Sequence, residues 1–316
     1  MKHLFIINPI AGGSDKTEFV AAEAGKAFAM RREEYELYVT KAPLDACDKI
    51  REEAEKGGEL RVYACGGDGT LNECVCGAAG YPNVAVTHFP CGTGNDFIKT
   101  FGDEKQRFFD LTGLVTGEVR PIDVIACNGR YSVNICSVGI DARIGGDVHK
   151  YSQLPVVGGA CGYVVSTAVN VVKGVARKLR VSSCGRNFDG DMTLICACNG
   201  RYYGGGFNPV PTAMPDDGTI DFLVIKGVSR LTFARLVVNY AKGQFRRYPQ
   251  YITHLRGESM TIDSEDELRV NIDGEIITAK HVEFRVVPGG VNFIFPSDMK
   301  FFENRDEENG QNGSKW

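Results

Sequence analysis

Short apolar runs alternate with charged segments over the first third of the chain. Leu4–Ile7, Tyr35–Val39, Leu60–Ala64 and Val84–His88 read as buried strands. Between them, Lys16–Arg32 and Leu44–Lys56 carry apolar residues at helical spacing, and Gly57-Gly58 supplies a helix stop after the second. Strands alternating with helices predict an α/β domain with a mainly parallel sheet, over residues 1–121. Each strand runs into a loop rich in Gly, Asn, Asp or Thr, and ligands bind open parallel sheets at that edge.

Beyond Pro121 the pattern changes to short β-type runs broken by turn residues: Ile122–Ala126, Tyr131–Cys136, Met192–Cys198, Thr219–Ile225, Ser259–Ile262, Leu268–Ile272 and His281–Val287. They predict a β-rich second domain, a sandwich or flattened barrel, over residues 122–296, interrupted by helices at Gly162–Arg177 and Leu231–Gly243. The chain end, 297–316, is expected to return to the first domain, with a frayed charged tail from Glu303. No Pro-rich or Ser-rich linker separates the halves, so they are expected to abut across a cleft.

Composition narrows the class. Apolar residues make up 43% of the 316 positions and charged ones 24%, values of an ordinary globular protein. A net charge of −4 argues against a general nucleic-acid binder. Eleven cysteines, an odd number, read as reduced thiols in a cytoplasmic protein; Cys74/Cys76 and Cys196/Cys198 lack the spacing of a zinc site. The start, MKHLFIINPIAGG, reads as a first strand rather than a secretion signal. Tyr151–Val172 is uncharged and long enough to span a bilayer. Its Pro155, Gly158-Gly159 and Gly162 favour a packed or lipid-touching helix instead.

Three loops carry candidate chemistry. Asn8-Pro9-Ile10-Ala11-Gly12-Gly13 joins a strand to a helix and offers free amides to a phosphate, although a plain turn looks the same. Gly66-Gly67-Asp68-Gly69-Thr70-Leu71-Asn72 is sharper. Its glycines let a polyphosphate approach the backbone, Thr70 and Asn72 offer side-chain hydrogen bonds, and Asp68 suits a magnesium ion or its water. The P-loop ending Gly-Lys-Ser/Thr is absent. The third loop is Pro90-Cys91-Gly92-Thr93-Gly94-Asn95-Asp96-Phe97. In the second half, Asp273-Gly274-Glu275 ends a strand-like run; if the chain is extended there, both carboxylates share a face, and the alternative is a surface turn.

Asn-Pro-x-x-Gly, Gly-Gly-Asp-Gly-Thr and Pro-x-Gly-Thr-x-Asn-Asp-Phe, in this order, resemble the catalytic domain of diacylglycerol kinases. The architecture is similar to the single-chain bacterial lipid kinases, within a superfamily that includes sphingosine, ceramide and NAD kinases. The similarity covers residues from Lys2 to about Pro296.

The resemblance implies ATP and Mg2+ on the first domain, against Asn8, Pro9, Gly12, Gly13, Thr40, Gly66, Gly67, Asp68, Gly69, Thr70, Asn72, Thr93, Asn95 and Asp96. It implies a general base in Asp273-Gly274-Glu275, either acid being the candidate and Glu275 supported by Asp273 the working assignment, and a catalytic contribution from Asp68. Met214-Pro215-Asp216-Asp217-Gly218-Thr219 is similar to the lipid-kinase segment that holds a structural magnesium. The ligands carried over are the Asp217 carboxylate and the carbonyls of Met214 and Thr219, the alternative being a metal-free Asp-Gly turn. Gly139-Ile140-Asp141-Ala142 and Gly204-Gly205-Gly206 also match the family pattern, the first in a structural role.

The expected reaction is phosphorylation of a lipid hydroxyl, diacylglycerol to phosphatidic acid, by a cytoplasmic enzyme peripheral at the inner membrane face. Leu231–Tyr248, with Arg230, Arg235, Lys242, Arg246 and Arg247 among apolar residues, is the segment suited to anionic headgroups, or else an ordinary amphipathic helix. Phosphatidylglycerol, sphingoid or undecaprenol-like acceptors, NAD, and a degenerate nucleotide or lipid sensor are the alternatives. A sheet edge or the second domain leaves a homodimer open.

Overall fold

The computed structural model describes residues 1–152 and 174–302. It divides into two units, Met1–Pro121 with the chain from Val291 onward, and Ile122–Gly290. Most of the expected Tyr151–Val172 segment, and residues 162–173 of the expected helix Gly162–Arg177, lie outside the described residues; Gly174–Ala176 are not helical and Arg177 opens a strand. Among the described residues, no helix is long and apolar enough to cross a membrane.

The first unit alternates as its apolar runs dictate: β1 (Lys2–Ile7), α1 (Thr17–Phe28), β2 (Glu34–Val39), α2 (Asp45–Glu55), β3 (Leu60–Gly66), α3 (Asp68–Ala78) and β4 (Val84–Pro90). The strands pair in parallel in the order β4-β3-β1-β2. β4 is buried along its whole length, as expected of a central parallel strand covered on both faces. A 3-10 stretch over Phe97–Phe109 and a short helix α4 (Leu111–Val115) follow. The chain then leaves through β5 (Glu118–Cys127) and returns at Val291, where Asn292 and Phe293 pair in parallel with Ala85 and Val86 of β4. Phe97, Phe101, Phe108, Phe293 and Phe295 pack edge-on, tilted and, for Phe101 on Phe108, stacked into an aromatic core at 0–2% exposure.

The second unit is built from β6 (Arg130–Ser132), β7 (Ile135–Gly139), α5 (Ile140–Ser152), β8 (Arg177–Ser183), β9 (Arg186–Cys198), β10 (Ile220–Lys226), α6 (Arg230–Tyr240), β11 (Ile252–Gly257), β12 (Ser259–Ile272) and β13 (Glu275–Phe295), whose last residues belong to the first unit. Antiparallel pairing runs β11-β10-β9-β7-β12-β13. β8 pairs with both β9 and β12, so β7, β9, β8 and β12 form a closed circuit of pairings within the β-rich second half that the short runs predicted. Ile195, Val224, Ile262, Val270 and Phe284 belong to one buried core cluster of this unit.

Two predicted strands differ in form. Tyr131–Cys136 is split at Val133 and Asn134, because their amides turn to a carboxylate instead of a neighbouring strand. Ser259–Ile262 and Leu268–Ile272 are one strand, interrupted by a bulge between Asp263 and Leu268 where Ser264 and the acidic residues 265–267 leave the ladder.

Candidate functional site

The C-terminal edge of the first unit's sheet brings the three loops together. Loop one leaves β1, loop two leaves β3 and loop three leaves β4, and the parallel order β4-β3-β1 makes them neighbours. Backbone hydrogen bonds fasten loop two to loop three: the amides of Cys91 and Gly92 donate to the Gly66 carbonyl at 2.9 and 3.0 Å, and the Asp68 amide donates to the Gly94 carbonyl at 3.1 Å. Asp68 returns the link, its Oδ1 accepting the Asp96 amide at 2.7 Å.

Glycine is required here by contact. A Cβ on Gly92 would lie 2.6 Å from Gly67 Cα, and one on Gly12 (φ +71°) 2.7 Å from the Cys91 carbonyl oxygen. Gly69 differs: it is exposed, and nothing lies within 4 Å of its Cβ position. It stands in the first turn of α3, where helix amides have no intrahelical acceptor and the helix dipole favours an anion.

The remaining first-unit candidates sort by direction. Asn8 donates from Nδ2 to Thr70 Oγ1 at 3.2 Å and accepts the Ile10 amide at 3.1 Å, so it holds loop one against α3. Thr70 and Asn72 are each only 5% exposed, which makes them braces behind the loop rather than groups on its face. Thr40 follows β2 at the same edge, its amide and hydroxyl both donating to the Ile7 carbonyl, at 2.9 and 3.3 Å. Pro9 is half-buried, while Gly13 and Thr93 are exposed at the edge. Asn95 donates to the Gly92 carbonyl at 2.9 Å, and its own Oδ1 is buried without a partner. Asp96 is buried and pairs with Lys99 at 2.5 Å. Burial pushes the Cys91 thiol up to about 11, against a smaller opposing pull from Lys16, so it stands protonated at neutral pH.

One residue beneath these loops was not anticipated. His88, fully buried in β4, places Nε2 3.1 Å from the Gly66 carbonyl. A carbonyl only accepts, so Nε2 carries the proton. Burial lowers the imidazole pKa to about 4, against a smaller opposing effect of the Gly66 contact. Its only sequence signal is an ionisable residue, beside Thr87, in a mostly apolar central strand.

In the second unit the Asp273-Gly274-Glu275 motif is a turn. Asp273 (φ 50°) and Gly274 (φ 101°) are the two residues joining β12 to β13, with Ile272 paired to Glu275. The extended geometry that would align the two carboxylates is therefore absent. Asp273 is turned inward: Oδ1 accepts the Ser132 hydroxyl at 2.6 Å and the amides of Asn134 and Ile135 at 3.2 and 2.9 Å, and Oδ2 accepts the Val133 amide at 2.8 Å. It fixes the β6–β7 link, while Glu275 is exposed.

Asp217 occupies a local turn, its Oδ1 accepting the Thr219 amide at 3.1 Å and hydroxyl at 2.7 Å. Its Oδ2 pairs with Arg256 Nη2. Both oxygens of the expected structural-magnesium ligand are thus engaged by the protein itself, and the donor set does not fit a further cation as it stands. Among the described residues, no cluster of three or more His, Cys, Asp or Glu suits a metal ion.

A second carboxylate that the sequence reading passed over holds this turn. Asp123, 3% exposed on β5, accepts the Gly218 amide at 2.7 Å and the Gly289 amide at 2.9 Å. Burial raises its pKa, and those two hydrogen bonds offset part of the rise. The available signal was a lone acid inside the apolar run Ile122–Ala126.

Asp141, expected to be structural, borders an apolar cavity lined by Tyr203, Phe207, Phe233, Val237 and Tyr240. Its Oδ1 accepts the Ala142 amide at 2.7 Å, while Oδ2 is sealed from solvent without a hydrogen-bond partner. Burial raises its pKa to about 6, although the nearby hydroxyls of Ser137 and Tyr203 favour the ionised form.

The diacylglycerol kinase catalytic domain matches residues 2–127, and the YegS C-terminal NAD kinase beta sandwich-like domain matches residues 134–295, just over half of the 316 residues. The chain belongs to the YegS/diacylglycerol kinase family. "Probable lipid kinase YegS-like" of Shewanella frigidimarina is 28% identical over 257 residues, 79% of this chain and 81% of that protein. A crystal structure of a diacylglycerol kinase from Bacillus anthracis superposes with a TM-score of 0.69 over 94% of this chain and 98% of its own, at 24% identity, a level that speaks for the fold alone. The family read from the three loop motifs is thus confirmed, together with the α/β first half and β-rich second half. As a family member the chain is a lipid kinase, and kinases of this family use ATP.

Proposed function

We propose that this chain transfers the γ-phosphoryl group of ATP to a lipid hydroxyl, with diacylglycerol the leading acceptor and phosphatidic acid the product. The observation that carries the reading is the fastening of three glycine-rich loops at one sheet edge, where the open face of Gly69 and the first-turn amides of α3 suit a polyphosphate. Magnesium, when bound with ATP, neutralises phosphate charge, and Asp68 is the carboxylate at this edge that would hold it or its water, while Asp96, buried against Lys99, braces the loop behind it.

Glu275 is the proposed general base, taking the proton from the acceptor hydroxyl as its oxygen attacks phosphorus, a task that contributes about 10²–10⁴-fold. Asp273 acts at one remove, by fixing the β6–β7 link beside the turn that carries Glu275. In the second unit, the apolar cavity beside Asp141 supports an apolar acceptor over a soluble one. α6 supports peripheral membrane contact: Leu231 and Val238 are 65% and 56% exposed, on the helix that also exposes Arg235.

Labelled ATP, magnesium and a fractionated lipid extract test the reading, with product identification naming the acceptor. Label in phosphatidic acid is the expected result, and label in another phospholipid would move the acceptor to that lipid. NADP formed from NAD at a good rate would refute the lipid assignment. Nucleotide binding without any product would establish a sensor instead.

A further inference from the structure

The Asp-Gly turn before β10 is closed by an arginine. β11 places Arg256 opposite Asp221 in the ladder, and its side chain reaches back along the strand to the turn. Nη2 pairs with Asp217 Oδ2, and Nε donates to Thr219 Oγ1 at 2.9 Å, while that hydroxyl donates to Asp217 Oδ1 at 2.7 Å. Guanidinium, hydroxyl and carboxylate thus form a closed hydrogen-bonded ring. On the other side of the turn, Asp123 pins the Gly218 amide at 2.7 Å.

A structural magnesium in such a turn does two things: it neutralises an aspartate and ties the turn to its surroundings. Arg256 does both here. It supplies the positive charge, and its planar, fixed-geometry donors join β11 to the residues that lead into β10. An exposed one-point ion pair contributes little, but the second contact through Thr219 fixes the guanidinium in one orientation. We infer that Arg256 replaces the structural cation of this turn, so that Asp217 binds no divalent metal in this protein and the second unit folds without one. Stability and metal content are what this substitution governs, independently of which acceptor the enzyme phosphorylates.

The test needs no enzymatic turnover. Manganese bound to the nucleotide-free protein is counted by electron paramagnetic resonance, with Asp68→Asn present throughout to limit binding at the loops. The protein with Asp217 intact and its Asp217→Asn variant should bind equal amounts. Arg256→Met should bind one ion more than the Arg256→Met, Asp217→Asn double variant, because the carboxylate is released. In EDTA, Arg256→Met should unfold a few degrees lower, about the 2–4 °C that a chain of this size shows for one modest lost interaction. Millimolar magnesium should restore that loss while leaving the unfolding of the protein with Arg256 in place unchanged. Should Arg256→Met fold poorly, the comparison made with Arg256 intact still decides the matter. One manganese ion lost on Asp217→Asn with Arg256 present would overturn the inference, and so would a folded Arg256→Met protein that gains neither metal nor metal-dependent stability.

Discussion

Gly69 and Gly92 stand in adjoining loops, and alanine at each should give opposite results. At Gly92 the added Cβ runs into the backbone of loop two, Gly67 Cα at 2.6 Å, Gly67 N at 2.7 Å and the Gly66 carbonyl carbon at 3.2 Å. Backbone cannot rotate away as a side chain can, so the two loops must separate. Such overpacking costs about 1–3 kcal/mol and should lower the unfolding temperature by several degrees. At Gly69 the Cβ meets nothing within 4 Å, and the residue is helical, so alanine should leave the fold intact or stabilise it by up to about 1 kcal/mol.

The space that this methyl fills is the space proposed for a phosphate. Losing one charge-assisted amide contact of about 1.5–3 kcal/mol corresponds to about 10–100-fold in the KM for ATP. Differential scanning fluorimetry and initial rates against ATP concentration measure both effects. A Gly69→Ala enzyme with normal stability and an unchanged KM for ATP would refute phosphate docking at the α3 N-terminus. A Gly92→Ala protein as stable as its parent would contradict the loop packing.

Glu275→Gln should abolish lipid phosphorylation while leaving ATP binding and unfolding temperature unchanged; turnover within about tenfold of the parent would remove Glu275 as the base. Asp273→Asn, by contrast, should lower the unfolding temperature by several degrees, since its carboxylate accepts one hydroxyl and three amides, and a loss of activity with unaltered stability would return it to direct chemistry. His88 has a pKa lowered to about 4 by burial, so the unfolded chain binds the extra proton between about pH 4 and 6.5. The stability it confers is complete above pH 6.5 and declines by roughly 3 kcal/mol as pH falls to 4. Urea unfolding of His88→Gln across that window should show a shallower decline than the parent, and equal slopes would exclude His88. For Asp141 the sign is reversed: a pKa raised to about 6 means that the folded chain holds the proton more tightly, so stability falls as pH rises from about 4 to 6. Asp141→Asn should accordingly be more stable than the parent at about pH 8, by up to roughly 3 kcal/mol; equal stability there would show that the carboxyl is not strained by burial.

The sequence carries a great deal of this arrangement, and the remainder was hidden for a definable reason. Period and glycine placement locate the strands and loops of the first unit because both are local properties: the ends of β1, β3 and β4 are visible as apolar runs stopping at Asn8, Gly66 and Pro90. The parallel order then brings the loops together with no further information. His88, Asp123 and Arg256 act through partners 22, 95 and 39 residues away, and nothing in their immediate neighbours announces those contacts. Arg256 in particular looks like any exposed strand arginine until the register of β10 and β11 is known.

The Asp273 result is a different kind of gap. Asp-Gly between two strand-like runs is a strong hairpin signal, because both residues tolerate positive φ, and that local rule competed with the catalytic reading of the same three letters. The proposed function accommodates both by dividing the motif. The turn directs Asp273 onto the β6–β7 amides and leaves Glu275 as the first residue of β13, exposed and paired with Ile272. A base carried on a hairpin needs that hairpin held still, and four hydrogen bonds to one carboxylate supply the restraint. On the proposed assignment the two acids do separate work, so replacing Asp273 should blur the position of Glu275 rather than remove a proton acceptor: a kcat lowered in Asp273→Asn with the pH dependence of the parent is the signature that this division requires.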